Sequence, residues 1–415
     1  MLESAAELDA QGSAECRALL DATAALRPVI RGYQAEIERE RRLPAPLVAR
    51  LRAAGLYRMF VPRVLGGLQV DLLSFFRAVE LAAEGDGSVA WNLGTNAIAG
   101  SAALSLPDEG VREIFGGGPD VVFAGTIAPL GGTAVPVDGG YLCTGRWRFG
   151  SGCQEADWMV GSCQVVEGDR PRRNPDGTPD VRRILLPAGD RTIVDTWDVT
   201  GLRGTGSHDW TVADLFVPEH RTQRFTTRWT RWPGTLYALP LHAFQAPHFS
   251  PVATGIARAG LDALAELAGS KNPRQSPGLL REDVQVQEWI GRAEALLGAA
   301  QAYRAAVSAD IWATVAAGRP ATPEQQARCR LAATYAVDSA MQAMDLAYRA
   351  GGSTSIEQSH PVARRWRDLH AVAQNVVVGP EYYILAGRVL LGLDGGPKLA
   401  VRASGPAAGG SSPSD

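Results

Sequence analysis

The hydrophobic period changes twice along this chain, and that restricts its possible folds more than any other feature. Apolar residues first recur at helical spacing: Leu19, Leu20, Ala24, Leu26, Val29 and Ile30 mark one face within 14–54. Pro44 can open a further helix there and Gly55 can end it. After a loop with Pro62 and Gly66-Gly67, two more helices are expected, with Asp86-Gly87-Ser88 as the turn and N-cap between them. From Val121 to about Phe225 the pattern becomes short apolar runs. Turn signals such as Asp138-Gly139-Gly140 and Asn174-Pro175-Asp176-Gly177 separate them, which predicts a small antiparallel barrel or sandwich. From Pro251 the helical period returns over 251–269, 282–317, 323–350 and 361–392, as an antiparallel four-helix bundle would require.

Composition narrows the function. The 415 residues carry 41 basic and 44 acidic side chains, a net charge of -3, so no global field draws nucleic acid or an anionic membrane. No run of 18 apolar residues occurs and the acidic start lacks the pattern of a signal peptide, so a cytoplasmic protein is expected. Five scattered cysteines and six histidines show no metal-ligand spacing, so no metal is expected. No P-loop appears, and no G-x-G-x-x-G follows a predicted strand. On pattern alone GLRGTGSHDW is a turn between strands with capping Ser and Thr. On spacing alone Arg367-Asp368-x-His370 is a helix-surface ion pair with a satisfied histidine. The stretch holding Trp229, Trp232, His242 and His248 either covers a pocket or packs between domains.

Five segments in order resemble the acyl-CoA dehydrogenase superfamily over about 15–395: AAGLYRMFVPRVLGG, ELAAEGDGSVAWN, GGYLCTGRWRFGSGCQEADW, GLRGTGSHDWTVADLFVPEH and GGSTSIEQSHPVARRWRDLHA. The resemblance implies an α+β fold: an N-terminal helical domain over 1–117, a central β-barrel over 118–228 and a C-terminal four-helix bundle over 229–398. A disordered tail is expected over 399–415. It also implies a homotetramer with flavin between the β domain and the bundle. By that resemblance Phe149 lies against the isoalloxazine ring and Ser151 hydrogen-bonds near flavin N5. Thr126, Ile127 and Ala128 pass the pyrimidine edge, and Gly351 and Gly352 complete a neighbour's flavin site. Arg203, Thr205 and Ser207 match a shared motif with a fold-supporting role.

Two departures choose the branch. Many of the family's dehydrogenases carry a Glu just before the proline that aligns with Pro361; Ser359 stands there and Glu357 lies two residues away. Removing an α-proton needs a carboxylate within reach. DGSVAWN, GLRGTGS and HPVARRWRDLHA resemble instead the flavin-dependent monooxygenases, including aromatic hydroxylases and amino-sugar N-oxygenases. These imply a reduced flavin, FMNH2 ahead of FADH2, from a separate NAD(P)H-dependent flavin reductase. They also imply O2 and a C4a-peroxyflavin that oxygenates a small organic substrate. Where several relatives place histidines, this chain has Asn96 and Asn375, which favours an amine or an electron-rich aromatic over a phenol needing deprotonation. Asn96 and Asn375 would face the peroxide, Trp91 and His370 would border the substrate, and Trp158 would help wall the pocket. The alternatives are a flavin oxidase or dehydrogenase for a non-standard substrate, and a non-catalytic scaffold that tolerates Ser151→Trp.

Overall fold

The computed structural model describes residues 5–125, 131–168, 170–224, 231–244, 247–274 and 278–395. Thr126, Ile127 and Ala128, and the tail expected over 399–415, lie outside the described residues. The first third is helical: α1 (Ala5–Gly32), α2 (Gln34–Glu40), α3 (Ala45–Ala53), α4 (Leu72–Gly85), α5 (Gly87–Gly100) and α6 (Asp108–Phe115). Asp71 caps α4 by accepting from Ser74 N at 2.9 Å, and Asp86 caps α5 by accepting from Ser88 N at 2.9 Å and Val89 N at 3.3 Å.

The strands are β1 (Phe123–Gly125), β2 (Gly132–Val137), β3 (Gly140–Trp147), β4 (Trp158–Glu167), β5 (Arg170–Pro171), β6 (Val181–Pro187), β7 (Thr192–Val194), β8 (Asp209–Pro218) and β9 (Thr222–Arg224). Their order is β7-β8-β3-β2-β4-β6-β9, with β1 and β5 also on β4. The expected barrel is therefore an open sheet. Closure would need β7 to pair with β9, but these three-residue edges pair only with β8 and β6 among the described strands. The sheet is also mixed, because β1 and β2 run parallel to β4 in succession, at Trp158–Val160 and then Cys163–Val165. In its core Trp147 stacks on Trp210 at 4.2 Å; Gly161 admits the pair, since a Cβ there would meet both indoles at 2.9 Å.

After the short α7 (Thr235–Ala238) come α8 (Phe249–Ser270), α9 (Val284–Ala316) and α10 (Pro323–Gly351), close to the expected spans. The fourth expected helix is divided into α11 (Pro361–Ala373) and α12 (Glu381–Leu390). Gly379 and Pro380 explain the break, since glycine weakens a helix and proline inside one removes a hydrogen bond. Asn375 caps the 3-10 turn between them, accepting from Val377 N at 3.1 Å.

Two buried ionic junctions hold the layers together. Glu80 of α4 accepts from Gln301 Nε2 at 3.0 Å and Arg304 Nη2 at 2.8 Å of α9, and from the Thr254 hydroxyl of α8. Burial opposes its charge, but Arg304, with the Thr254 and Gln301 bonds, brings its carboxyl down to about 2. At the second junction Arg364 of α11 donates to Asp86 Oδ2 at 2.6 Å and to Gln34 O at 2.7 Å, while Arg365 donates to Gly85 O at 2.7 Å. The surface ion pair read from Arg367-Asp368 is corrected here. Asp368 is 1% exposed and accepts from Leu202 N at 2.7 Å, docking α11 on the GLRGTGS loop.

Candidate active site

The tight turn after β3 presents the site. Phe149 has φ 60, a left-handed conformation costly for a residue with a Cβ. Backbone bonds enforce it: Gly150 N donates to His208 O at 2.9 Å, Gly152 N to Thr205 O at 2.8 Å and Cys153 N to Gly150 O at 2.9 Å. The turn is thus stitched to the GLRGTGS loop, and Phe149 is left 52% exposed. It lines a cleft of about 520 Å³ with Arg146, Arg148, Trp197, Ser207 and Asp209. Trp197 meets its ring edge-on at 6.2 Å, and the Arg148 guanidinium lies 4.9 Å from the ring centre. Arg41 fixes the opposite wall through Asp195, at 2.7 and 2.8 Å, and Trp197 O at 3.1 Å.

Behind the cleft runs a chain of buried hydroxyls. Trp91 Nε1 of α5 donates to Ser151 Oγ at 3.0 Å, Ser151 Oγ lies 2.7 Å from Ser207 Oγ, and Ser207 Oγ lies 2.7 Å from Thr205 Oγ1. Thr205 Oγ1 donates to Leu202 O at 2.9 Å. Trp91 also packs on Phe249 at 4.6 Å, which brings the start of α8 to the site. Next to Trp91, Asn92 is 5% exposed, and among the described residues neither its Nδ2 nor its Oδ1 has a hydrogen-bond partner. A Cβ on Gly152 would stand 3.5 Å from Asn92 Nδ2, so the orphaned amide faces the Ser151 turn. Beside Ser207, His208 Nδ1 accepts from Thr196 N and Trp197 N, both at 3.2 Å, and burial lowers its pKa. At the base of the turn, burial pushes the Glu155 carboxyl up to about 7 against the pull of Arg42, 2.9 Å away.

The structure thus brings Trp91, Phe149 and Ser151 together; the other expected residues that it describes make different contacts. Asn96 accepts from Phe123 N at 2.6 Å and donates to Tyr57 O at 3.4 Å, so its amide braces α5 against β1. Asn375 uses its Oδ1 in the cap. His370 lies two residues past Asp368, about 200° round α11. It faces α10, with Nε2 3.3 Å from Asp345 and its ring 3.9 Å from Trp366, and burial lowers its pKa. Asp345 borders a separate cleft of about 540 Å³ with Arg292, Tyr335 and Arg349. Trp158 lies under Arg221, whose guanidinium is 5.4 Å from its ring. Gly351 O accepts from Lys271 Nζ at 2.7 Å, and Gly352 ends α10 at φ 57. Glu357 and Ser359 are exposed. Asn92, Trp197 and the Ser207–Thr205 hydroxyls are the functional candidates that sequence reasoning missed. Only the Ser and Thr of GLRGTGS gave a signal, and it pointed to the fold.

Among the described residues no group of three His, Cys, Asp or Glu side chains is placed to hold a metal ion, and no helix is long and apolar enough to cross a membrane. Residues 13–110 match the acyl-CoA dehydrogenase N-terminal domain and residues 248–380 its C-terminal domain. The chain is 32% identical to indole-3-acetate monooxygenase of Pseudomonas putida over 364 residues, 86% of this chain and 89% of that protein. It is 30% identical to the flavin-dependent monooxygenase oxygenase subunit HsaA of Rhodococcus jostii, over 89% of this chain and 97% of that one. The structure of XiaF from a Streptomyces species, in complex with FADH2 and glycerol, superposes with a TM-score of 0.85 at 26% identity, over 94% of this chain and 98% of that one. The chain belongs to the acyl-CoA dehydrogenase superfamily, in its branch of flavin-dependent monooxygenases.

Proposed function

We propose that this chain is the oxygenase component of a two-component monooxygenase, binding reduced flavin at the Ser151 turn and using O2 to oxygenate an electron-rich aromatic. One observation carries the placement. Ser151 Oγ, buried between Trp91 and Ser207, keeps a lone pair beside an aromatic ring held exposed at the cleft. The surroundings fit a flavin. Phe149 offers a π-face, and the orphaned Asn92 amide can both donate and accept toward the heterocycle's polar edge. Bound reduced flavin supplies the electrons that O2 activation requires. The chain's own part is to orient the ring through Phe149 and Ser151 and to exclude water with Trp91, Phe249 and Trp197.

The relatives' names support the finer points of the proposal. Indole-3-acetate favours an aromatic over an amine substrate, FADH2 in XiaF favours FAD over FMN, and "oxygenase subunit" implies a separate flavin reductase. We retain the boundaries at 117/118, 228/229 and 398/399, a homotetramer completed near Gly351-Gly352, and a cytoplasmic setting suited to five free cysteines. The oxidase or dehydrogenase alternative is less favoured, because Ser359 stands where many of the family's dehydrogenases carry their base and Glu357 is exposed.

Stopped-flow absorbance tests the proposal: protein with anaerobic reduced FAD, and separately reduced FMN, is mixed with oxygenated buffer. The expected result is an oxygen-dependent transient that outlasts the oxidation of free flavin and shortens in Ser151→Ala. Oxidation of both flavins at the free rate would overturn the proposal.

A further inference from the structure

We propose that Thr205 and Ser207 set the hydrogen-bond polarity of Ser151, so that the site selects a ligand presenting an N–H over one presenting a bare lone pair. For flavin, the reduced form with hydrogen on N5 is preferred to the oxidised form, whose N5 only accepts. This rests on the placement of flavin at Ser151 proposed above.

The polarity follows from counting protons, since each hydroxyl has one to donate and two lone pairs with which to accept. Thr205 Oγ1 gives its proton to Leu202 O, so toward Ser207 it accepts. Ser207 therefore donates to Thr205 and accepts from Ser151. Ser151 thus gives its proton inward, accepts one from Trp91 Nε1, and has a single lone pair left for a ligand. In this arrangement every proton of the chain is bonded, and Ser151 is an acceptor.

Reversing the chain would let Ser151 donate outward, but Thr205 would have to turn its proton from Leu202 O to Ser207. That carbonyl keeps bonds from Trp197 Nε1 and Thr205 N, both at 3.1 Å, so the reversal costs one hydrogen bond and no more. One neutral hydrogen bond corresponds to a preference of about fivefold. Thr205 and Ser207 are thus positioning residues, acting on the ligand through Ser151.

The test compares dissociation constants for oxidised FAD and, under anaerobic conditions, reduced FAD in the wild type and three variants. In Ser207→Ala the Ser151 proton is released, so oxidised FAD should bind about fivefold more tightly with reduced FAD little changed. In Thr205→Val, which keeps the side-chain shape, Ser207 loses one acceptor and its proton turns to Ser151, the other hydrogen-bond partner recorded for it among the described residues. Ser151 must then donate outward with both lone pairs used, so oxidised FAD tightens and reduced FAD weakens. Both variants should lower the oxidised-to-reduced ratio and shift the bound flavin's potential downward. A purely structural role would weaken both forms alike and leave the ratio unchanged, which would overturn the inference. Ser151→Ala separates the two proposals. If it alters flavin affinity while the other variants leave the ratio fixed, the polarity is refuted and the placement stands. If it alters neither form's affinity, the placement fails and the inference fails with it.

Discussion

Replacing Glu80 by Gln removes one charge from the most enclosed ionic junction of the fold while keeping the side chain's shape. Arg304, almost fully buried, would lose its counter-charge, whereas the Arg77 guanidinium, 2.9 Å from Oε2, keeps Glu84 at 3.2 Å. Folding lowers the Glu80 carboxyl from 4.5 to about 2, a difference worth about 3 kcal/mol at pH 7. A pKa depressed in the folded state gives stability that is complete above the unfolded value and is lost as pH falls through the folded one. The gap between wild type and Glu80→Gln should therefore be about 3 kcal/mol at pH 7 and about 1 kcal/mol at pH 3. Urea unfolding followed by far-ultraviolet circular dichroism at pH 7, 5, 4 and 3 reads that gap. A gap below about 1 kcal/mol at pH 7, or one that does not shrink on acidification, would refute the reasoning.

Three further outcomes are expected. Asp86→Ala removes two cap bonds and the 2.6 Å acceptor of the buried Arg364, which keeps only the longer pairs to Glu38 and Asp368 at 3.6 and 3.7 Å, costing about 3 kcal/mol in urea unfolding; a loss under about 1 kcal/mol would contradict that role. Glu155 has the opposite sign to Glu80: its folded pKa of about 7 lies above the ordinary 4.5, so its contribution declines as pH rises from 4.5 to 7. Glu155→Gln should gain about 3 kcal/mol on the wild type at pH 7 and little at pH 4, and an equal gain at both values would refute the burial argument. Asn92→Leu removes two orphaned polar atoms and should raise the stability of the flavin-free protein by about 1 kcal/mol while weakening reduced-flavin binding. Unchanged binding in an equilibrium titration would take Asn92 out of the site.

Helices were legible wherever a 3.6 period ran between clear breakers, as at Asp86, whose expected cap is the observed one. The apolar pattern continued past Gly379-Pro380 and outweighed those breakers, so α11 and α12 were merged. The sheet's openness was hidden because closure depends on whether β7 and β9 meet, and no local pattern encodes that. Spacing reveals only neighbours one helical turn away, such as Arg364 at 3.7 Å from Asp368, and not its hydrogen-bond donor Leu202, 166 residues distant. At the site, Phe149, Ser151 and Trp91 were legible through resemblance. The relay from Ser151 to Thr205 depends on two loops being stitched face to face, and a linear motif does not show that contact. Asn96 and Asn375 illustrate the converse: aligned positions took on fold-supporting hydrogen bonds here.

We propose that this chain transfers an oxygen atom from O2 with electrons from a flavin reduced elsewhere. The most direct measurement supplies reduced FAD from an added NAD(P)H-dependent flavin reductase, ¹⁸O₂ and a panel of indoles and other electron-rich aromatics, and analyses the products by mass spectrometry. A product carrying one labelled oxygen atom, formed only when this chain is present and in smaller amount with Ser151→Ala, is expected. Oxidised substrate without label, or flavin consumption that yields only hydrogen peroxide across the panel, would contradict it.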